Sequence, residues 1–212
     1  MEALNQISAT LALTMGLAWA SGINLYATLL TLGFLANTGN IVLPPDLQIV
    51  ADPMVMAAAG LMYFIEFFAD KVPGVDTGWD AIHTFIRIPA GAMLAAGAIG
   101  DLNPAVEIAA AILGGSLAAG AHATKAGTRV LINTSPEPFS NWIASVGEDI
   151  AAIGGVWACI HHPTLFLIAL TFFIAVMIWL LPRIWVGVKK VFRLIINLFN
   201  SDNPPPSLNP PQ

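Results

Sequence analysis

The sequence predicts an all-α integral membrane protein of about six transmembrane or re-entrant segments. Three observations lead there: scarce charge, long uncharged apolar runs, and an abundance of small residues. Only 10% of the 212 residues are charged and 57% are hydrophobic, with a mean hydropathy of +0.75. A soluble domain carries about 25% charged residues, so this chain lacks the charge to cover a water-facing surface. Its 18 glycines and many alanines suit helices that pack closely within a bilayer. One cysteine, Cys159, excludes an internal disulfide and a multi-cysteine metal site.

No charged residue occurs between Ala3 and Pro45, and residues 7–36 are almost wholly apolar. A single crossing needs about 20 residues. The first segment is therefore a tilted long helix, a helix broken near Gly22 and Asn24, or a re-entrant hairpin. It lacks the basic start of a cleaved signal peptide and is read as retained. Pro44, Pro45, Asp46 and Asp52 mark a loop, and a second segment runs from Pro53 to Ala69. After a turn at Val72, Pro73 and Gly74, the third runs from Trp79 to Gly100. Asn103-Pro104 is a helix-start signal, placing the fourth at Ala105 to Leu131, with a turn from Asp101 to Pro104 before it. The fifth covers Asn141 to Ile160 and the sixth Pro163 to Leu181, with His161 and His162 in the turn between them.

Beyond Pro182 the pattern changes. Arg183, Lys189, Lys190 and Arg193 alternate with Trp185, Val188, Phe192, Ile195 and Phe199. Residues 183–200 thus read as a basic amphipathic helix lying on anionic lipid head groups. The Pro-rich tail, 201–212, is expected to be disordered. Six crossings starting inside leave no Lys or Arg in loops 37–52, 101–104 and 161–163, and put the basic segments inside. That distribution obeys the positive-inside rule, with a cytoplasmic C-terminus.

A weak internal repeat relates the halves. At an offset of 98, Gly16, Ala20 and Gly22 match Gly114, Ala118 and Gly120. Residues 7–101 and 104–182 are accordingly expected to be inverted three-segment repeats within one transmembrane domain, with helix breaks at Gly22 and Gly120.

The chemistry-bearing residues are those that a bilayer disfavours. An ionisable side chain at a helix centre costs about 3 kcal/mol on insertion scales. Asp76, Asp80, His83 and Arg87 are spaced to share one helical face, as are His122, Lys125 and Arg129. Glu66 and Asp70 end the second segment; Glu148 and Asp149 lie within the fifth. Ser21, Asn24, Thr28 and Thr31 add an uncharged polar stripe. Structurally, these charges pair across helices and hold the bundle together. Functionally, Asn24, Glu66, Asp80, His83, Arg87, His122, Lys125, Arg129 and Glu148 line a midplane site for a small ion or an anionic solute. In that reading the bases attract an anion, or a carboxylate carries a proton or cation, and one repeat rocks against the other.

There is no phosphate-binding loop with Lys-Ser/Thr, no Gly-x-Ser-x-Gly and no His-Glu-x-x-His. Asp70, Asp76 and Asp80 at an aqueous boundary are weak candidates for a divalent metal and a lipid-linked phosphate. The expected functions are thus a secondary transporter or channel-like protein first, a membrane scaffold or assembly factor next, and a lipid-modifying enzyme last. No cofactor is indicated. The partners expected are the lipid bilayer, anionic head groups at 183–199, a small ion or anion and a second copy of the chain, with no nucleic acid.

Several separated motifs resemble one family. They are Ser21-Gly22 with Asn24 and Tyr26, Glu66 through Asp70-Lys71 and Pro73-Gly74 to Asp76, Trp79-Asp80 with His83-Thr84, and His122 through Thr124-Lys125 to Arg129. Together they resemble an uncharacterised bacterial membrane family catalogued as domain of unknown function 4126, over residues 10–180. The resemblance implies a multi-pass protein of the bacterial inner membrane and supplies no activity.

Overall fold

The computed structural model describes residues 1–100, 103–134 and 139–200, with side chains to residue 197. Six helices form: α1 (Glu2–Asn37), α2 (Pro53–Ala69), α3 (Val75–Ile99), α4 (Pro104–Ile132), α5 (Phe139–His161) and α6 (Pro163–Asn200). A 3-10 turn, Pro45–Ala51, precedes α2. Five of the helices are long and apolar enough to cross a membrane, and α2 with its 3-10 turn, across a 63° bend, brings the number up to six. The expected turn residues Asp101 and Leu102 and the tail 201–212 lie outside the described residues.

Local chemistry sets most boundaries. Asp52 caps α2, its Oδ1 accepting from the Met54 amide at 2.8 Å, and Pro53 follows where a missing N–H is harmless. Asn103 and Pro104 start α4 in the same way, with Asn103 accepting from the Ala105 amide at 2.9 Å. Gly74 turns the chain into α3 at φ 86°, a conformation that favours glycine. The third segment begins four residues earlier than predicted, because Asp76 accepts amide hydrogen bonds from Gly74 and Thr77 and stabilises an added first turn.

Helix α1 is long enough to cross twice the needed depth, but it does not run straight. Asn24 leaves helical geometry at φ −146°, ψ 101°, the extended conformation of an N-cap. Its Oδ1 accepts from the Ala27 amide at 2.9 Å, and the Thr28 hydroxyl donates to its carbonyl at 2.7 Å. Asn competes with the helix for its own backbone groups, so a second helix starts here inside the first. The arms, 2–23 and 25–37, then fold back on each other. Leu13 and Thr10 on the first arm share a pocket with Ile41 and Pro44, which follow the second. At the far end of the second arm, Asn37 bonds to the Ala51 carbonyl and Gly33 packs on Val50. Both arms therefore end on one face of the bundle, and Asn24 marks the tip of a re-entrant V. Of the three arrangements expected for this segment, the straight tilted helix is not found: the chain breaks at Asn24 and its second arm turns back along the first.

The remaining helices alternate in direction from that face: α2 leaves it, α3 returns, and α4, α5 and α6 continue the alternation. Loop 38–52 and the turn at His162 thus lie on the first face, with the N-terminus; His161 and Pro163, expected in that turn, belong to the ends of α5 and α6. The turn 70–74 and the end of α6 lie on the second. This corrects the six-crossing topology in which the N-terminus and loop 38–52 were expected on opposite faces.

The bundle core is built where small residues let three helices meet. Gly91 of α3 and Gly114 of α4 face each other and Ala18 of α1, and Gly22 lies against the Ala118 backbone. The pairs Ala18–Gly114 and Gly22–Ala118 run in the same direction along both helices. The first arm of α1 and α4 are therefore parallel neighbours, not the opposed copies an inverted repeat demands. The shared glycines reflect close packing. Gly120 breaks nothing, since α4 is continuous and Met177 of α6 packs onto that glycine. Gly22 likewise is an approach point, two residues short of the break.

One further boundary differs. The basic segment expected as a separate helix after Pro182 continues α6 through that proline. Proline removes one backbone hydrogen bond from the helix, and packing holds the rest: Ile184 lies on Gly127 and Gly187 meets Leu131.

A buried charge network as the candidate functional site

The charged residues of α2, α3, α4 and α5 converge in the half of the bundle nearer the second face. Lys125 of α4 is the hub. Its Nζ lies 3.3 Å from Glu66 Oε1, 3.0 Å from Asp70 Oδ2, 3.6 Å from Asp80 Oδ1 and 3.4 Å from Glu148 Oε2. Arg87, at the middle of α3, pairs with Glu66 and reaches Asp80 Oδ1 at 3.3 Å. Arg129 grips Glu148 in a bidentate fork, at 2.6 and 3.1 Å, and donates to the Asp70 and Asn141 carbonyls. The ends of α2 and α5 are thereby tied to α4.

This network joins four carboxylates to three cations, so one carboxylate is in excess. Its side chains are 0–3% exposed except Glu148, at 18%. One oxygen on each of Glu66, Asp70 and Asp80 is buried without a hydrogen-bond partner, as is Arg87 Nε. Such atoms are costly in a water-poor interior. Glu148 borders a cavity of about 290 Å³ between α4 and α5, lined also by Lys125, Thr124, Thr128 and Phe173.

Two histidines flank the network in fixed tautomers. Arg87 donates to His122 Nδ1 at 3.1 Å, so the proton lies on Nε2 and is given to the Asp80 carbonyl at 3.0 Å. The His83 Nδ1 proton goes to the Trp79 carbonyl at 2.9 Å, and its Nε2 accepts from the Tyr26 hydroxyl at 3.0 Å. His83 also stacks on Trp79. Both rings are hydrogen-bond links between α1, α3 and α4.

Asn24 is brought to this level by the α1 break, and its Nδ2 donates to Asp149 Oδ1 at 2.9 Å. Asp76 stands apart: both its oxygens accept from Asn133, and the Gly74 and Thr77 amides complete its shell. The three aspartates considered for a metal thus turn to different partners, Asp70 and Asp80 to Lys125 and Asp76 to Asn133. Among the described residues no group of three His, Cys, Asp or Glu is placed to hold a metal ion. Ser21 and Thr28 bond to carbonyls of their own helix. Lys71, in the turn between α2 and α3, lies over the Phe67 ring and donates to the Phe67 carbonyl at 2.9 Å. Burial pushes its ammonium below the usual lysine range.

The nine side chains proposed from the sequence lie in or beside this network, nearer the second face than the midplane expected for them. Tyr26, Asn133, Asn141 and the bond of Asp149 to Asn24 were not among the proposed site residues. For α5 a signal existed: Asn141, Ser145, Asp149 and Ala152 follow helical spacing and form its buried face. Tyr26 entered only through the motif it shares with Asn24, and its pairing with His83, 57 residues away, has no local signal.

Fold and network together define a multi-pass α-helical membrane protein organised around buried ion pairs. The chain belongs to the family described as domain of unknown function (DUF4126), which it matches over residues 11–183. No curated protein and no solved structure matches it.

Proposed function

We propose that this chain is a membrane transport protein that handles a small cation, the proton included, at the network around Lys125. The observation that carries the reading is the excess of carboxylate over cation in a buried network at the level of a broken helix. Ion pairs that served packing alone are replaceable by apolar side chains at little cost or a gain. An unbalanced set with three unpartnered carboxylate oxygens is harder to explain that way. Every base of the network is already occupied by carboxylates, which favours a cation over the anionic solute. Glu148, the most exposed member, is the point of entry. The re-entrant V supplies the helix interruption that transport sites commonly use.

The charge distribution supports a bacterial inner-membrane orientation with the basic end of α6 in the cytoplasm, against anionic head groups. In the re-entrant topology the N-terminus then lies outside. Arg183 over Trp179 and Lys189 near Trp185 suit an interfacial position for that end.

One observation favours a second reading, a scaffold that binds a protein partner. The cavities along α6 are lined almost wholly by apolar side chains, and the ion pairs are closed. Reconstitution into liposomes separates the two. A cation or pH gradient is expected to drive flux through the wild type and not through Glu66→Gln folded to the same extent. Absence of flux in both, with the variant merely less stable, puts the scaffold first.

A further inference from the structure

Asp149 is a buried acid that the network does not use. It lies in the middle of α5, about 15 Å from one end and 18 Å from the other at 1.5 Å per residue. It takes part in none of the ion pairs among the described residues. Its hydrogen-bond partners are neutral, the Asn24 amide with Nδ2 at 2.9 Å and the Tyr63 hydroxyl. The contrast with Asp76 is instructive, for Asp76 also lacks an ion pair. Asp76 sits at the end of α3, where two backbone amides and the Asn133 amide satisfy an anion. Among the described residues no backbone amide donates to Asp149, which lies in mid-helix.

The groups that face Asp149 come from each neighbouring element. From α1 comes Asn24, and from α2 come the Tyr63 hydroxyl and, further off, Asp70. Lys125 of α4 and Lys71 in the turn act from beyond ion-pair distance and are engaged elsewhere. On α6 the neighbour at this level is Phe173. An isolated carboxylate in such surroundings takes up a proton instead of remaining charged.

We propose that Asp149 is a proton-binding site of this protein, neutral as the free acid in this conformation, and that the α1 break reads its charge through Asn24. Binding is simple exchange: the carboxylate takes a proton from water and releases it to water. Asn24 has two jobs at once, since its Oδ1 caps the second arm of α1 while its Nδ2 holds Asp149. Loss of the proton places an anion against the start of that arm, the one end of a helix that favours negative charge. The proton state of α5 is thereby linked to the geometry of the re-entrant tip. This deepens the transport reading, on which its purpose rests.

Infrared difference spectroscopy of the full chain in lipid bilayers tests the assignment. At neutral pH the wild type should show the carbonyl stretch of a protonated carboxylic acid, shifted in heavy water. One component of that band should vanish in Asp149→Asn and persist in Asp76→Asn. Asn at 149 keeps the shape and still accepts from Asn24, so the variant should fold. As a second variant, Asn24→Ala should shift the component without removing it. A band that is complete in Asp149→Asn, or unshifted in Asn24→Ala, overturns the proposal. Absence of cation flux with the band intact removes the transport reading and leaves the proton site standing.

Discussion

Lys125→Met should be the most damaging single substitution within the network. The methionine fills a similar volume but leaves oxygens of Glu66, Asp70, Asp80 and Glu148 gathered around a place with no charge. Removing one partner of a buried ion pair costs about 3–5 kcal/mol, because the other charge stays buried and uncompensated. Here the ammonium touches all four carboxylates, and its loss leaves them to Arg87 and Arg129 alone, with two negative charges in excess. The loss therefore belongs at the upper end of that range. The expected result is a large fall in melting temperature, or loss of folded protein from detergent extracts. Adding Glu66→Gln to Lys125→Met should recover part of the loss, since it removes one of the stranded charges. Without such recovery the lysine would be acting through packing alone.

The second large effect is steric and lies away from the charges. A methyl group at Gly22 would fall against the Ala118 backbone and the Ala121 side chain, where no flexible group can yield. Gly22→Ala must push α1 from α4, at a cost of about 1–3 kcal/mol for overpacking, and bulkier residues cost more. The same substitution at Gly147 or Gly154 of α5 meets nothing within 4 Å. There Gly→Ala should be neutral or stabilise the helix by about 0.5–1 kcal/mol. Thermal melting of the three variants side by side gives opposite signs if the helix contact is as described. Equal effects would mean that Gly22 serves helix propensity and not approach.

These contrasts show which parts of the fold can be read from sequence. The start of α2 followed from Asp52 and Pro53, its end from the turn at Val72, Pro73 and Gly74, and the start of α4 from Asn103-Pro104, because caps and turns act on adjacent residues. The charge set was legible because ionisable residues in apolar runs stand out, and their helical spacing placed them on shared faces. The partners were not legible. Lys125 meets Asp70 across 55 residues and Asp149 meets Asn24 across 125, and no local pattern encodes such distances. The glycines misled for a related reason. A glycine that permits a break and one that permits close approach look alike in sequence, so Gly22 and Gly120 were read as breaks. Asn24, with a side chain able to cap, is the residue that interrupts α1. The matched glycines of the expected repeat carry the same ambiguity, because two neighbouring parallel helices need the same small residues.

Pro182 offers the opposite lesson. Sequence rules end a helix at proline, yet α6 continues because its second half packs on α4 through Ile184 and Gly187. Tertiary contacts outweighed a local preference. The basic end of α6 is therefore continuous with a helix that packs on α4, the helix that carries Lys125.

Binding of a cation by the excess carboxylate around Lys125 should be visible as a gain in stability. Thermal melting of the purified protein across a series of monovalent and divalent cations and across pH, for wild type and Glu66→Gln, tests it most directly. A ligand that binds the folded state alone stabilises it by about 2.7 kcal/mol at a hundredfold excess over its Kd. The account predicts that one cation, or protons, raises the melting temperature of the wild type and has little effect on Glu66→Gln. Equal responses of both proteins to every cation and every pH would contradict it, and would leave the network as a structural clamp.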